Sequence, residues 1–323
     1  MTKAKRKQRI VCLGGGIGTV NLIKGLKDHF EHIAAIVSMA DDGGSGGRLR
    51  RLYNILPPGD VASCMAALMD NPNPLMSKLL TYRFPGDRYG KDEELFGHKL
   101  GNLMLAAATD MTGSFPNAIA LLKELFRINE DIIPATSKSV SIIATTTDGR
   151  VIQGEENIDL GKFHGDSPLD SVSLVPANIA ASSESLAALN ASDIVIVGPG
   201  DLYTTVLPCI IIPEIKEFLL QNKKQQVFVV NVANKPFESK GYSEFDFVNA
   251  IKKHLGAFPF QKVIANDNFS LPLPTNLILD YTYVHLTKEK PENYQLITED
   301  VVDESFPLYH DHKKLASVVA KTV

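Results

Sequence analysis

The sequence predicts an α/β fold, a Rossmann-like, doubly wound and mostly parallel sheet with a helical insertion after the second strand. Three observations carry this: short apolar runs alternate with amphipathic stretches, glycine-rich turns follow the runs, and a long helical segment interrupts the alternation after the second run. The first run, Arg9 to Leu13, is partly β-branched and leads into Gly14, Gly15, Gly16, Gly18 and Thr19. From Thr19 to Phe30 a helical stripe of Val20, Leu22, Ile23 and Leu26 follows. Ile33 to Met39 is almost wholly apolar, as suits a strand covered on both faces. Together they form an opening βαβ unit.

A second glycine-rich turn, Ala40 to Arg50, holds Asp41, Asp42, Gly43, Gly44, Ser45, Gly46, Gly47 and Arg48. Glycine lets successive amides turn inward toward an anion, and a following helix N-terminus adds its dipole. Packing supplies no reason for two carboxylates, a hydroxyl and two arginines here. Arg48 suits a phosphate, and Asp41 falls near the position of a ribose-binding acid. Pro58-Gly59 then forces a turn, after which Asp60 either caps the next helix or faces a ligand.

Leu75 to Tyr82 reads as a helix and Phe84 to Phe96 as a polar loop. An apolar helix opens at Gly97, with His98 and Asn102 four apart on one face beside Gly101. A helix over Phe115 to Ile128 precedes a hairpin of Val140 to Thr145 and Val151 to Gln153, and 154–176 reads as irregular loop. The alternation restarts with a helix over Ala181 to Asn190 and a strand at Ile194 to Val197. Its third glycine turn carries Gly198, Gly200, Asp201 and Tyr203. Strands at Val227 to Val230 and Lys262 to Ala265 follow, the first leading into Asn231 and Lys235. Helices cover Glu214 to Gln221, Glu244 to His254 and Lys313 to Lys321. One domain over 1–323, with 1–8 a frayed basic terminus, accounts for this better than two.

Composition bounds the function. The 323 residues are 44% hydrophobic and 22% charged, with mean hydropathy −0.01. A net charge of −4 argues against general nucleic-acid binding. No apolar run reaches the roughly 20 residues a membrane span needs, and the glycines after Cys12 break any signal-peptide core, so a cytoplasmic protein without membrane insertion is expected. Cys12, Cys64 and Cys209 stand apart in apolar settings and read as buried free thiols.

Several of these motifs, in order, resemble the bacterial gluconeogenesis-factor family, which is CofD-like and related to the 2-phospho-L-lactate transferases of deazaflavin cofactor synthesis. They are Gly14-Gly15-Gly16-x-Gly18, the turn from Ala40 to Arg50, Pro57-Pro58-Gly59-Asp60, His98-x-x-Gly101-Asn102-Leu103 and Gly198-Pro199-Gly200-x-Leu202-Tyr203-Thr204. The resemblance implies a nucleotide-sugar ligand such as UDP-N-acetylglucosamine, roles in carbon-source adaptation and cell shape, and self-association into a homo-oligomer. Its transferase branch moves a phospholactyl group from a guanosine diphosphate carrier to a deazaflavin hydroxyl. For that chemistry Asp41, Asp42 and Asp60 are the catalytic candidates, with Asp41 and Asp42 on Mg²⁺. The glycine turns, Thr19, Ser45, Arg48, His98, Asn102, Asp201, Tyr203, Asn231 and Lys235 are the ligand-binding candidates. Against the family pattern, Ile17 replaces a threonine, Gly46 a serine and Tyr309 an arginine. The form of the second turn favours a nucleotide-sugar-binding factor, needed for growth on gluconeogenic carbon sources and for cell morphogenesis, over the transferase. A nicotinamide-dependent oxidoreductase rests only on a partial fingerprint, with Thr19 where the third glycine belongs.

Overall fold

Apolar strands and the helices joining them build the frame. A computed structural model describes residues 4–69, 74–91, 94–163, 167–275, 280–289, 291 and 293–323. The chain opens with β1 (Arg6–Gly14), α1 (Gly16–Leu26) and β2 (Phe30–Val37). Five helices follow: α2 (Gly44–Tyr53), α3 (Gly59–Leu68), α4 (Pro74–Thr81), α5 (Leu100–Thr112) and α6 (Phe115–Phe126). After β3 (Asp131–Pro134) come β4 (Ser141–Thr146), β5 (Val151–Gln153), the short α7 (Glu155–Asp159) and β6 (Leu169–Val175). The second half begins with α8 (Ser183–Ala191), β7 (Ile194–Val197), a π-helical turn at Leu202–Val206, α9 (Leu207–Ile210) and α10 (Pro213–Gln221). It ends with β8 (Gln225–Val229), β9 (Ala233–Asn234), α11 (Glu244–Leu255), β10 (Lys262–Asn266), β11 (Thr282–Tyr283), β12 (Gln295–Glu299) and α12 (His312–Thr322).

Seven strands form one sheet in the order β12-β10-β8-β7-β1-β2-β3, with every neighbouring pair parallel. From β1 the order runs one way to β3 and the other way through β7, β8, β10 and β12. The chain therefore reverses between β1 and β7, and a ligand crevice is expected outside their carboxyl ends. Helices cover both faces, so β7 is buried throughout and β1 is buried from Ile10 onward. α1 packs on α12 at very short range, because a Cβ on Gly25 would stand 1.9 Å from the His312 carbonyl oxygen.

Helices α2 to α6 are the insertion expected after the second strand. β4, β5 and β6 make a separate antiparallel sheet, so the expected hairpin gains a third strand. The stretch read as irregular, 154–176, thus contains α7 and β6. The first helix ends at Leu26 and Phe30 already belongs to β2, since His29 N bonds back to the Leu26 carbonyl and closes the turn. α5 starts at Leu100, so His98 precedes it and shares no helix face with Asn102. Asp60 occupies the first turn of α3 without capping it. All three cysteines are free and buried, and burial pushes the Cys209 thiol up to about 12. Among the described residues no helix is long and apolar enough to cross a membrane.

Candidate functional site

Three turns meet at the point where the sheet order reverses, and side chains tie them together. Thr19 Oγ1 accepts a hydrogen bond from Gly15 N (3.0 Å) and donates to the Pro199 carbonyl (3.1 Å), linking the turn after β1 to the turn after β7. Gly18 permits that approach: a Cβ there would lie 2.6 Å from Pro199 O. Asn231, just past β8, accepts from Gly200 N (3.0 Å). A cavity of about 500 Å³ opens over these turns, walled on one side by the insertion and on the other by segments that follow β8 and precede α12.

The insertion wall is cationic. Arg83, Arg88 and Lys99 all line it. Arg83 donates to Ser45 Oγ (3.2 Å) and the Gly97 carbonyl (2.5 Å), and Lys99 Nζ donates to Ser63 Oγ (3.1 Å). Among the described residues none of the three forms an ion pair with a carboxylate. Burial and then the neighbouring guanidinium groups push both Arg83 and Lys99 below their usual values, while Asp60 and Asp41 pull Lys99 partly back.

Carboxylates line the floor. Asp41 accepts from Gly43 N (3.0 Å) and lies against Glu155, and burial raises both, Glu155 the further, with Asp41's charge adding to its shift. Asp60 is pushed up to about 6, chiefly by burial and then by Asp41, while a hydrogen bond from Gly16 N and the Lys99 charge oppose the shift. Burial, Glu238 and Asp60 together hold Asp201 well above the usual carboxylate range. Lys235 Nζ sits among Asp159, Asp201 Oδ2 (2.6 Å) and Glu238 Oε1 (3.3 Å). Glu238 in turn accepts from Tyr203 N (2.9 Å), Thr204 N (3.1 Å) and Thr204 Oγ1 (2.8 Å), which orders the π-helical turn.

Of the residues the sequence singles out, Gly16, Gly18, Asp41, Gly43, Ser45, Asp60, Asn102, Gly200, Asp201, Asn231 and Lys235 line this cavity. Asn102 is only 2% exposed and its Oδ1 has no hydrogen-bond partner, which leaves an acceptor in the wall. Gly14, Gly15, Thr19 and Gly198 lie behind the lining as parts of the turns. Gly44 donates its amide to Glu156 Oε2 (3.0 Å) and is likewise off the lining.

Four candidates are placed differently from the sequence reading. Asp42 accepts from Glu156 N (3.0 Å) and Ser141 Oγ (3.3 Å), so it ties the turn to α7 and β4 and does not pair with Asp41 toward a metal. Arg48 is 1% exposed and donates to the carbonyls of Asp87 (3.3 Å), Phe96 (2.9 Å) and Glu94, bracing the polar loop. The Tyr203 hydroxyl shares a hydrogen bond with that of Tyr242 (3.0 Å) in the interior. His98 is buried outside the cavity, with its carbonyl accepting from Phe84 N (2.9 Å). The sequence reading passed over Arg83, Arg88, Lys99, Glu155, Asp159 and Glu238. The one available signal for the cations was two arginines in or beside the loop before Gly97.

The comparisons agree with this architecture. The family described as 2-phospho-L-lactate transferase CofD matches residues 10–323. A relative from Aquifex aeolicus is 36% identical over 98% of this chain and 97% of its own. A Bacillus subtilis protein named "Gluconeogenesis factor" is 37% identical over 81% of this chain and 79% of its own. The chain spans about half the length of several longer relatives. A crystal structure of a Bacillus halodurans protein superposes with a TM-score of 0.86 at 31% identity, covering 98% of this chain and 99% of that one.

Proposed function

This chain belongs to the CofD family, and from that premise we propose that its crevice binds the diphosphate of a nucleotide sugar of the UDP-N-acetylglucosamine kind. The protein then serves as a gluconeogenesis factor, required for growth on gluconeogenic carbon sources and for cell morphogenesis. The observation that carries the reading is the convergence of Arg83, Arg88 and Lys99, none of them ion-paired with a carboxylate among the described residues, over glycine turns at the reversal point of the sheet. Like charges brought together in a half-buried wall cost stability unless an anion joins them, and a diphosphate supplies two.

Mg²⁺ suits this reading only in part. Asp41 and Asp60 face the cavity and would hold the ion beside the diphosphate, where it would neutralise phosphate charge. Asp42 is engaged elsewhere, and the carboxylates of Asp159, Asp201 and Glu238 already surround the Lys235 ammonium.

Phospholactyl transfer is the second reading, and Asp60 favours it. A carboxyl pushed up to about 6 beside the first glycine turn has the proton affinity to assist an attacking hydroxyl. A thermal-shift panel separates the two, because a ligand that binds the native state raises its melting temperature. Stabilisation by UDP-N-acetylglucosamine and UDP-glucose is the expected result. A response confined to GDP with Mg²⁺ and a deazaflavin makes transfer the activity to assay, and a response to NAD alone overturns both.

A further inference from the structure

Away from the crevice, one imidazole ring joins the small antiparallel sheet to a helix of the main layer. β6 is an edge strand of the β5-β4-β6 sheet, with no strand beyond it among the described residues. Its outward amide at Val172, a buried residue, instead donates to Nε2 of His254 in the last turn of α11 (2.9 Å). An amide N–H can only donate, so Nε2 is the bare nitrogen and Nδ1 carries the proton, which it gives to the Ala250 carbonyl (2.6 Å). Both ring nitrogens are thus committed in the neutral form. An imidazolium would set one N–H against another and leave the Val172 amide buried without an acceptor.

Four elements face this ring. Lys253 of α11 pairs with Asp170 of β6 across the same junction, and Lys216 Nζ of α10 donates to the His254 carbonyl (2.9 Å). Tyr203, from the π-helical turn, meets the ring edge-on at 5.9 Å and 75°. The hydroxyls of Tyr203 and Tyr242 share a hydrogen bond (3.0 Å), and both reach the Leu169 carbonyl at the start of β6 (3.4 and 3.5 Å). Burial raises both hydroxyls, so neither phenol brings a charge to the junction. Burial also holds His254 below its ordinary value of 6.5; the Ala250 carbonyl and Asp170 oppose that shift, and Lys253 and Lys216 add to it.

We propose that His254 is a pH-sensitive clasp: neutral, it holds β6 to α11 and braces the Tyr203 turn, and protonated it lets β6 go. Along its other edge β6 pairs with β4, whose Ser141 Oγ donates to Asp42 of the second turn (3.3 Å). Release therefore reaches the crevice from behind, through β4 on one side and Tyr203 on the other, whichever ligand the crevice takes. The unfolded chain takes up this proton at the ordinary value and the folded chain only below it. The clasp thus contributes fully at neutrality, and its contribution is lost as pH falls below 6.5.

Hydrogen exchange at the Val172 amide of the native chain tests this directly. Protection there should fall about tenfold or more between roughly pH 7.5 and 5, while in His254→Gln, which keeps an acceptor and cannot ionise, it stays constant. The chain has eight histidines, and the ring signal missing from the NMR spectrum of His254→Gln identifies the one whose titration the loss should follow. Melting curves give a second reading. The native chain should lose more of its melting temperature over this window than His254→Gln does. His254→Phe, which never offers an acceptor, should melt below the native chain at pH 7.5 and approach it at pH 5. A native Val172 amide equally protected at both pH values, or native and His254→Gln melting curves that run parallel, overturns the clasp. Should a variant fail to fold, the exchange measurement on the native chain decides alone.

Discussion

Arg48 and Lys99 show how differently two cations serve one site. Arg48 braces carbonyls from its buried position, so Arg48→Ala leaves those acceptors without a donor and should cost roughly 3 kcal/mol of stability, read as a fall in melting temperature. Arg48→Lys should recover little, because an ammonium cannot reach three carbonyls with the guanidinium's planar fork. Lys99 faces the cavity, where burial and the charges of Arg83 and Arg88 outweigh the pull of Asp60 and Asp41. Lys99→Met should therefore leave the melting temperature unchanged or raised, yet weaken pyrophosphate binding about 10- to 100-fold by isothermal titration, the range of one hydrogen bond to a charged group. Asp60 gives a pH signature. Its carboxyl titrates higher in the folded chain, at about 6, than at its ordinary value of 3.8. A group raised on folding lends its full stability below the unfolded value and loses it as pH rises through the folded one. Asp60→Asn keeps an acceptor for Gly16 N and cannot ionise. Its melting temperature should exceed that of the native chain at pH 7.5, with the gap closing toward pH 4; parallel curves across that window would remove burial of the charge as the cause.

At the level of elements, the sequence reads clearly where one side-chain period prevails. β1, β2 and β7 were visible because Val11, Ile36 and Ile196 sit in runs buried on both faces. β6 was missed because Asp170, Ser171 and Ser173 alternate with Leu169, Val172 and Leu174, so a strand with one open face resembles a loop beside prolines. β12, at the sheet edge, carries Gln295, Thr298 and Glu299 and buries little. The site was legible where the backbone made it, in the glycine turns, and not where distance did. Arg83 reaches Ser45 of the second turn from 38 residues away in sequence and Lys99 reaches Ser63 of α3 from 36, through packing that no local pattern encodes. Arg48 was misread for the converse reason, since residue type does not reveal burial. Gly25 tests the closest helix contact. Gly25→Ala places a methyl group against His312 O, so α12 must shift, and about 2 kcal/mol or more should be lost in urea unfolding with α1 itself still helical.

For the molecule as a whole, the strand order sets where chemistry collects. The charged groups of the crevice gather along one edge of the sheet, with Arg83, Arg88 and Lys99 delivered by the insertion and the carboxylates by the turns, α3 and α7. A saturating nucleotide sugar, at about a hundred times its dissociation constant, should raise stability by about 2.7 kcal/mol and the melting temperature by several degrees, with Lys99→Met requiring proportionately more ligand for the same rise. The Thr19 hydroxyl, which joins the turn after β1 to the turn after β7, has a thermodynamic meaning of its own. Because those backbones are ordered when the chain folds, little conformational entropy remains to be lost when a ligand arrives. Calorimetry on the native chain should then find a smaller unfavourable entropy than on Thr19→Val, in which the turns are free of one another and must be gathered by the ligand itself.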